Sequence, residues 1–158
     1  MRYVATALVF LVFGVSSFSS QASSKSGKHP VEVVYFSGID AFNEHDLDEF
    51  MEQFHDDMQM FNTSTGWLRN LEAIRGRFAT IFQQFQSVRM VIEDFQVREV
   101  EPQTAVVDFR WTLYPTGSGP AYRGVASGVY AKREGKWGEV LEHETVTSID
   151  EALQSPRN

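Results

Sequence analysis

The stretch Ile81–Val100, IFQQFQSVRMVIEDFQVREV, decides the fold, because its hydrophobic period changes part-way along it. Up to Phe85 the apolar residues recur at helical spacing, which is typical of one face of an α-helix. From Val88 onwards the period is two, and runs rich in β-branched and aromatic residues favour strands. We therefore expect helices before this stretch and strands after it.

Three helices are predicted from their first turns. The first begins at Pro30, whose fixed backbone angle suits an initial helical position. The second begins at Asp46, where Asp-Leu-Asp-Glu resembles a capping box that ends in Glu49. The third follows Asn70, a residue type whose side chain caps helix N-termini. Each helix carries apolar residues at helical spacing, so each can bury one face.

Five strands are predicted, one between the second and third helices and four after the third. They are Asp57–Asn62, Val88–Val100, Thr104–Leu113, Tyr122–Arg133 and Trp137–Thr147. Residues Thr63–Trp67 are predicted to form a loop. Because the connectors between the last four strands are short, these strands should be antiparallel neighbours. The predicted fold class is α+β, with three N-terminal helices against a mostly antiparallel five-stranded sheet.

Composition limits the function classes. The 158 residues suffice for one domain, and 21 acidic against 14 basic residues give a net charge of −7. This balance offers no basic surface for nucleic acid, so we expect no nucleic-acid partner. The lack of cysteine excludes disulfides, thiolate metal sites and thiol catalysis. Because no His, Asp or Glu spacing is typical of a metal site, neither a metal nor a cofactor is expected.

The N-terminus has the order of a secretory signal peptide. Arg2 supplies a positive charge, Val4–Val15 is an apolar run, and Ala22 ends a small-residue cleavage site. The run is too short for a membrane anchor, since about 20 apolar residues span a bilayer. We expect a signal peptide over 1–22, a flexible lead-in over 23–29, the domain over 30–149 and a tail over 150–158. The mature protein is expected to be secreted or periplasmic, without a membrane partner.

Several short motifs occur in a characteristic order. They are Ala41–Asp48 (AFNEHDLD), Phe54–Asp57 (FHDD), Leu71–Ile74 (LEAI), Thr104–Val107 (TAVV), and Gly135–Trp137 (GKW) followed by Glu142 and His143. With the element order they resemble the nuclear transport factor 2-like superfamily, SnoaL-like branch, over about residues 31–148. The resemblance implies a cone-shaped fold whose curved sheet and helices enclose a pocket for a small-molecule ligand. It implies no single reaction, because this superfamily hosts isomerases, dehydratases, cyclases and non-catalytic modules.

The resemblance argues against the ketosteroid isomerase reaction. That chemistry needs a carboxylate base and two donors to the developing enolate. The resemblance aligns Asn62 with the base, Gly38 with the tyrosine of the oxyanion hole, and Gly128 with the second acid. None of these three residues can perform the corresponding step.

The residues of the pocket follow from strand parity, because side chains alternate between the two faces of a sheet. In the register that the resemblance implies, the inward side chains include Asn62, Asp108, Arg110, Tyr122, Tyr130, Val140, Glu142 and Glu144, and Trp67 covers one mouth of the pocket. Phe109, Trp111, Val125, Val129 and Leu141 then form the outer face. The opposite register stays open, because a slip of one residue moves Phe109 and Trp111 inward.

Four of these positions carry candidate chemistry. Arg110 is either a bidentate clamp for a carboxylate or phosphate, or the partner of Asp108 or Glu142 in a structural ion pair. Glu142 and Glu144 lie two residues apart on one strand, so either their like charges raise one pKa toward that of a general acid, or both are exposed sheet glutamates. His143 has the opposite parity and is either a pocket base or an outer-face residue. The candidate catalytic residues are Glu142, Glu144 and His143, and the candidate ligand-binding residues are Asn62, Trp67, Asp108, Arg110, Tyr122 and Tyr130.

Two function classes stay open, and the sequence does not decide whether the protein is an enzyme. We favour a non-catalytic binding or assembly module whose cavity takes a small apolar or anionic organic molecule. The alternative is a cofactor-independent enzyme of the isomerase, dehydratase or cyclase type, using acid–base chemistry in the same cavity. A homodimer built sheet to sheet is also expected, because Phe109, Trp111, Val125 and Val129 would expose a large apolar face.

Overall fold

The computed structural model describes residues 27–115 and 120–151. Its helices are α1 (Pro30–Glu44), α2 (Leu47–Met51) and α3 (Leu71–Gln84), and its strands are β1 (Phe54–Asn62), β2 (Gly66–Leu68), β3 (Arg89–Glu101), β4 (Thr104–Tyr114), β5 (Ala121–Arg133) and β6 (Lys136–Asp150). The predicted signal peptide, most of the lead-in and most of the tail lie outside the described residues. Within the described part of the chain, no helix has the length and apolar character needed to cross a membrane.

The three helices begin where the sequence predicts. Helix α1 has Pro30 as its first residue. The Asp46 carboxylate accepts a hydrogen bond from the Glu49 amide (3.0 Å), and the Asn70 side chain accepts one from the Ala73 amide (2.8 Å). Because these side chains satisfy amide groups that have no partner within the helix, they fix where α2 and α3 begin.

The strands form one six-stranded sheet in the order β2-β1-β6-β5-β4-β3. Strand β1 pairs parallel with β6, and the other neighbouring pairs are antiparallel. The predicted number of five strands was wrong, because residues 66–68 form β2 and pair with the end of β1. Gly66 opens this strand with a φ of 76°, a conformation that glycine adopts without strain. Three residues are too few to show a period of two, so the sequence predicted only a loop there.

The helices cover one face of the sheet, and aromatic side chains fill the space between. Near α1, the ring of Tyr35 lies 4.5 Å from that of Phe95 and 4.8 Å from that of Phe109. Between α2 and α3, the rings of Phe50 and Phe78 are 4.6 Å apart. Members of both clusters also line a cavity, so the same contacts hold the helices in place and shape its wall.

The parity of β4 is the opposite of the prediction. Phe109 and Trp111 are 6% and 5% exposed and line the cavity under the helices, whereas Asp108 and Arg110 are exposed on the outer face. The inward placement of the charged row and the outward placement of the aromatic row were therefore both wrong. Burial of two large aromatic side chains stabilises the fold, while burial of Asp108 and Arg110 would cost free energy unless both were paired. On β5 the predicted parity is correct.

Candidate functional site

A cavity of about 500 Å³ lies between the helices and the inner face of the sheet. Its wall includes the aromatic rings of Phe50 and Phe78 from the helical side, and of Phe109, Trp111 and Tyr122 from the strands. Tyr122 is thus inside, as predicted. The volume falls within the range of small-molecule sites, so the cavity can enclose a small organic molecule.

The polar part of the cavity wall is built around Glu144 on β6. Arg77 on α3 donates from Nη2 to Glu144 Oε1 over 2.7 Å, and Asn62 at the end of β1 donates from Nδ2 to the same oxygen. Asn62 Oδ1 in turn accepts a hydrogen bond from the Ser64 amide (2.7 Å), which orients the side-chain amide. The Arg77 and Glu144 side chains are only 19% and 11% exposed, so they form a buried ion pair that depends on both partners.

Glu142 is the second carboxyl in the cavity wall, as the predicted parity of β6 required. It is 9% exposed, and no hydrogen-bond donor among the described residues reaches its carboxyl. The pKa of Glu142 is raised to about 8, first by burial and then by the negative charge of Glu144, while Arg77 offsets part of the rise. The Glu142 side chain is therefore mostly protonated and neutral near pH 7.

A third carboxyl, Glu139, is fully buried behind the cavity wall. Tyr130 donates its hydroxyl to Glu139 Oε2 over 3.4 Å, while Oε1 has no partner among the described residues. Burial raises the pKa of Glu139 well above its ordinary value, and the nearby Glu142 raises it further. Glu139 Oε1 fills the space that a side chain at Gly128 would occupy. Tyr130, a predicted ligand-binding residue, thus bonds to Glu139 and does not line the cavity.

Arg110 and Asp108 do not belong to the site, so their predicted ligand-binding placement was wrong. Arg110 Nη2 lies 2.6 Å from Asp94 Oδ2 on the outer face, with the two side chains 58% and 64% exposed. Arg110 pairs across β4 and β3 with Glu93 and across β4 and β5 with Val125. Because paired residues share a face, Arg110 lies on the same outer face as the exposed Val125.

His143 and Trp67 also lie outside the cavity, which corrects the placement of Trp67 and decides between the two alternatives for His143. The Phe61 ring contacts both of them, with ring centroids 4.7 Å from His143 and 5.3 Å from Trp67. His143 is exposed and Trp67 is 47% exposed. Since His143 alternates with the inward Glu142 and Glu144, it is the outer-face residue of the two alternatives.

Two functional candidates were missed at the sequence level. Arg77 was not among the predicted site residues, although it lies three residues after Ile74 and beside Phe78, next to the buried stripe of α3. Glu139 was missed because a register shift between Val129 and Tyr130 places Glu139, and not Val140, on the inner face. The helical spacing of Arg77 could have indicated its position, whereas nothing in the sequence predicts the bulge in the β5–β6 pairing.

The outer face carries less apolar surface than predicted. Val125 and Leu141 are 44% and 37% exposed, but Phe109 and Trp111 are buried. The expected homodimer therefore loses the two largest side chains on which it was based, and it stays a prediction.

Comparison with known proteins agrees with this architecture. Residues 37–140 match the SnoaL-like domain family. A ketosteroid isomerase-like protein from Erwinia carotovora atroseptica is similar in structure, with a TM-score of 0.65, 17% identity, and coverage of 75% of this chain and 95% of that one. An uncharacterised cystatin-like protein from Caulobacter vibrioides gives 0.67 at 15% identity, covering 75% and 88%. A hexachlorocyclohexane dehydrochlorinase from Novosphingobium barchaimii gives 0.69 at 8% identity, covering 82% and 93%.

These structural neighbours share the fold at low identity and differ in what their names say they do. No curated protein matches the chain in sequence. The family match covers most of the described residues, and the fold agrees with it. The chain belongs to the SnoaL-like domain family.

Proposed function

We propose that the protein is a non-catalytic binding or assembly module whose cavity holds a small, mostly apolar organic molecule. The observation that carries this proposal is the cavity of about 500 Å³, whose wall combines aromatic rings with one polar cluster. The apolar wall supplies binding free energy through burial, and the few polar groups orient the ligand. A neutral Glu142 provides a hydrogen-bonding group at that cluster.

The same arrangement does not favour an anionic ligand. Arg110, the residue on which that expectation rested, forms an exposed pair with Asp94. Arg77 is inside, but its guanidinium is bound to Glu144. A carboxylate or phosphate in the cavity would therefore meet Glu144 without a free cation to offset the repulsion.

Blocking the entrance tests cavity binding directly. Thr65 is exposed and lines the cavity, so Thr65→Trp should obstruct it with little effect on the fold. Thr63→Trp, in the same loop and outside the cavity wall, is the matched control. In NMR titrations with phenylbutanol, resonances of cavity residues should shift in the wild type and in the control, and not in Thr65→Trp. Equal shifts in all three proteins, or shifts only on the outer face, would contradict cavity binding.

A second candidate function is acid–base catalysis in the same cavity, of the isomerase, dehydratase or cyclase type. Its supporting observation is a raised pKa at Glu142, two residues from the ion-paired Glu144. A neutral acid beside a charged carboxylate is a pair that transfers protons in both directions. If the protein turns over a substrate, Glu142→Gln should lower the rate by about a hundredfold or more without a matching loss of binding. Equal turnover by both proteins would rule out this role for Glu142.

We also propose that the protein is exported. The support is the sequence of residues 1–22, with its single positive charge and short apolar run. Intact-mass analysis of the protein from its native host should give a chain that begins near Ser23. A mature product that still carries Met1 would contradict export by this route.

A further inference from the structure

We propose that the cavity is selective for an amine: the ligand presents an ammonium group to the Glu142 carboxyl and lays its apolar body against the aromatic wall. This inference rests on the proposed binding function and adds the chemical class of the ligand. It follows from the charges, the burial and the hydrogen bonding of the groups around Glu142.

The buried carboxyls outnumber the cations that face them. Glu139, Glu142 and Glu144 are all at most 9% exposed and lie along one strand. Among the residues that the structure describes, Arg77 is the only lysine or arginine in the cavity wall, and it is bound to Glu144. A buried carboxyl without an opposite charge stays protonated, so a cation supplied by a ligand is the group that would allow a second carboxyl of this cluster to ionise.

Glu142 is the carboxyl available to that ligand. It lines the cavity and is more than nine-tenths buried, yet its carboxyl has no hydrogen-bond partner within the described part of the chain. Glu144 already accepts from Arg77 and Asn62, and Glu139 lies behind the wall. Since an ammonium group has N–H donors and no acceptor, it complements Glu142 without competing with these contacts.

The rest of the wall suits the body of such a molecule. Phe50, Phe78, Phe109 and Trp111 present aromatic surface to the cavity. Ring faces attract a desolvated cation, and their apolar area stabilises an aryl or alkyl chain. An arylalkyl amine therefore finds a partner for each of its two parts.

Formation of the ion pair changes the protonation of Glu142. A ligand that arrives as ammonium displaces the Glu142 proton to solvent, and a ligand that arrives as free amine accepts that proton. The charged or titratable groups around Glu142 are Glu139 and Glu144 on its own strand, Arg77 on α3, Tyr35 on α1 and Tyr130 on β5. Because the pKa of Glu142 is raised to about 8, ammonium binding should release about one proton near pH 7.

The test compares three probes that share one body: phenylbutylamine, phenylbutanol and phenylbutanoate. At pH 8 the amine should bind roughly tenfold more tightly than the alcohol, because charge-assisted hydrogen bonds are stronger than neutral ones. The carboxylate should bind most weakly. Below pH 8 the affinity for the amine should fall by about tenfold per pH unit, since Glu142 must lose its proton for the ammonium to bind.

Two variants separate the effect of the Glu142 carboxyl on amine affinity from the effect of the protein's net charge. Glu142→Gln removes the carboxyl at nearly constant shape, so affinity for the amine should fall by about tenfold and lose its pH dependence, while affinity for the alcohol stays within about threefold. Asp108→Asn removes one charge from the outer face and should leave all three affinities unchanged. If Glu142→Gln fails to fold, the pH dependence and proton release of the wild type still test the proposal.

The outcomes of these experiments distinguish a failure of amine selectivity from a failure of the proposed cavity-binding function. If the alcohol or the carboxylate binds as tightly as the amine, or if amine affinity is independent of pH between 6 and 8, amine selectivity is overturned and cavity binding stands. If none of the three probes binds in the cavity, the proposed function fails as well.

Discussion

The two ion pairs Arg77–Glu144 and Arg110–Asp94 have nearly equal lengths, 2.7 and 2.6 Å, and opposite surroundings. The first lies in the cavity wall with 19% and 11% of its side chains exposed, and the second lies on the outer face with 58% and 64% exposed. Burial weakens solvent screening and makes the loss of one partner costly, whereas an exposed pair contributes little. The environment, and not the distance, therefore sets what each pair does for the protein.

Removing the buried cation should have the largest effect. Arg77→Met leaves Glu144 buried without its partner, so the free energy of unfolding should fall by about 3–5 kcal/mol. Chemical denaturation near pH 7 measures the loss. The double variant Arg77→Met/Glu144→Gln should recover part of it, because it leaves no orphaned charge. A loss below about 1 kcal/mol would mean that the inner pair behaves like a surface pair.

Removing the neutral carboxyl should change how stability depends on pH. The pKa of Glu142 is raised to about 8 in the folded protein, so its proton favours the folded state. This stabilisation is fully present below the pKa that Glu142 has in the unfolded protein. It declines as the pH rises from there toward 8, and it changes no further above the pKa of the folded protein. The stability of Glu142→Gln relative to the wild type should therefore rise by about 3 kcal/mol between pH 5 and pH 8. Parallel pH profiles for the two proteins would contradict a raised pKa at Glu142.

The space available to an added side chain at two glycines gives a third contrast between the inner face of the sheet and the protein surface. In Gly128→Ala, the added methyl group would overlap Glu139 Oε1, which the buried strand cannot easily release. We expect a loss of about 2 kcal/mol in thermal or chemical unfolding. Gly76→Ala is the matched control at an exposed position of α3, where nothing lies near the added carbon, and it should stabilise the protein by about 0.5–1 kcal/mol. Equal effects at both glycines would show that the Glu139 contact is not tight.

Removing the exposed cation should have the smallest effect. Arg110→Met breaks only the solvent-exposed pair with Asp94, so unfolding should change by less than about 0.5 kcal/mol. Affinity for the cavity probes should not change. A large loss of stability or of ligand affinity in this variant would show that Arg110 contributes to the cavity site, contrary to its position on the outer face.

The sequence predicted the helices well because their signals are local. Asp46 and Asn70 each bond to an amide three residues later, and those contacts need no information from the rest of the chain. The family motifs likewise predicted the SnoaL-like family and the presence of a cavity. Strand β2 was missed because it exists only through its pairing with β1.

The residues of the cavity wall were predicted correctly only on those strands where the family resemblance implied the right parity. On β6 the row that contains Glu142 and Glu144 was placed inside, while on β4 the aromatic row and the charged row were exchanged. Parity within a strand is a local property, but its direction depends on register with the neighbouring strands, which a single sequence does not carry. Glu139 shows the same difficulty, because a bulge reverses the alternation between it and Glu142.

The central claim is that Glu142 is a neutral carboxyl inside the cavity near pH 7, available to a ligand. A titration of the side-chain carboxyl carbons by ¹³C NMR, in protein labelled at glutamate, tests it most directly. Wild-type protein should show one glutamate resonance that titrates near pH 8 and is missing from Glu142→Gln. Saturation with phenylbutylamine should shift this titration to lower pH, because the ammonium group favours the charged carboxylate. A Glu142 resonance that titrates near the ordinary glutamate pKa would contradict the account.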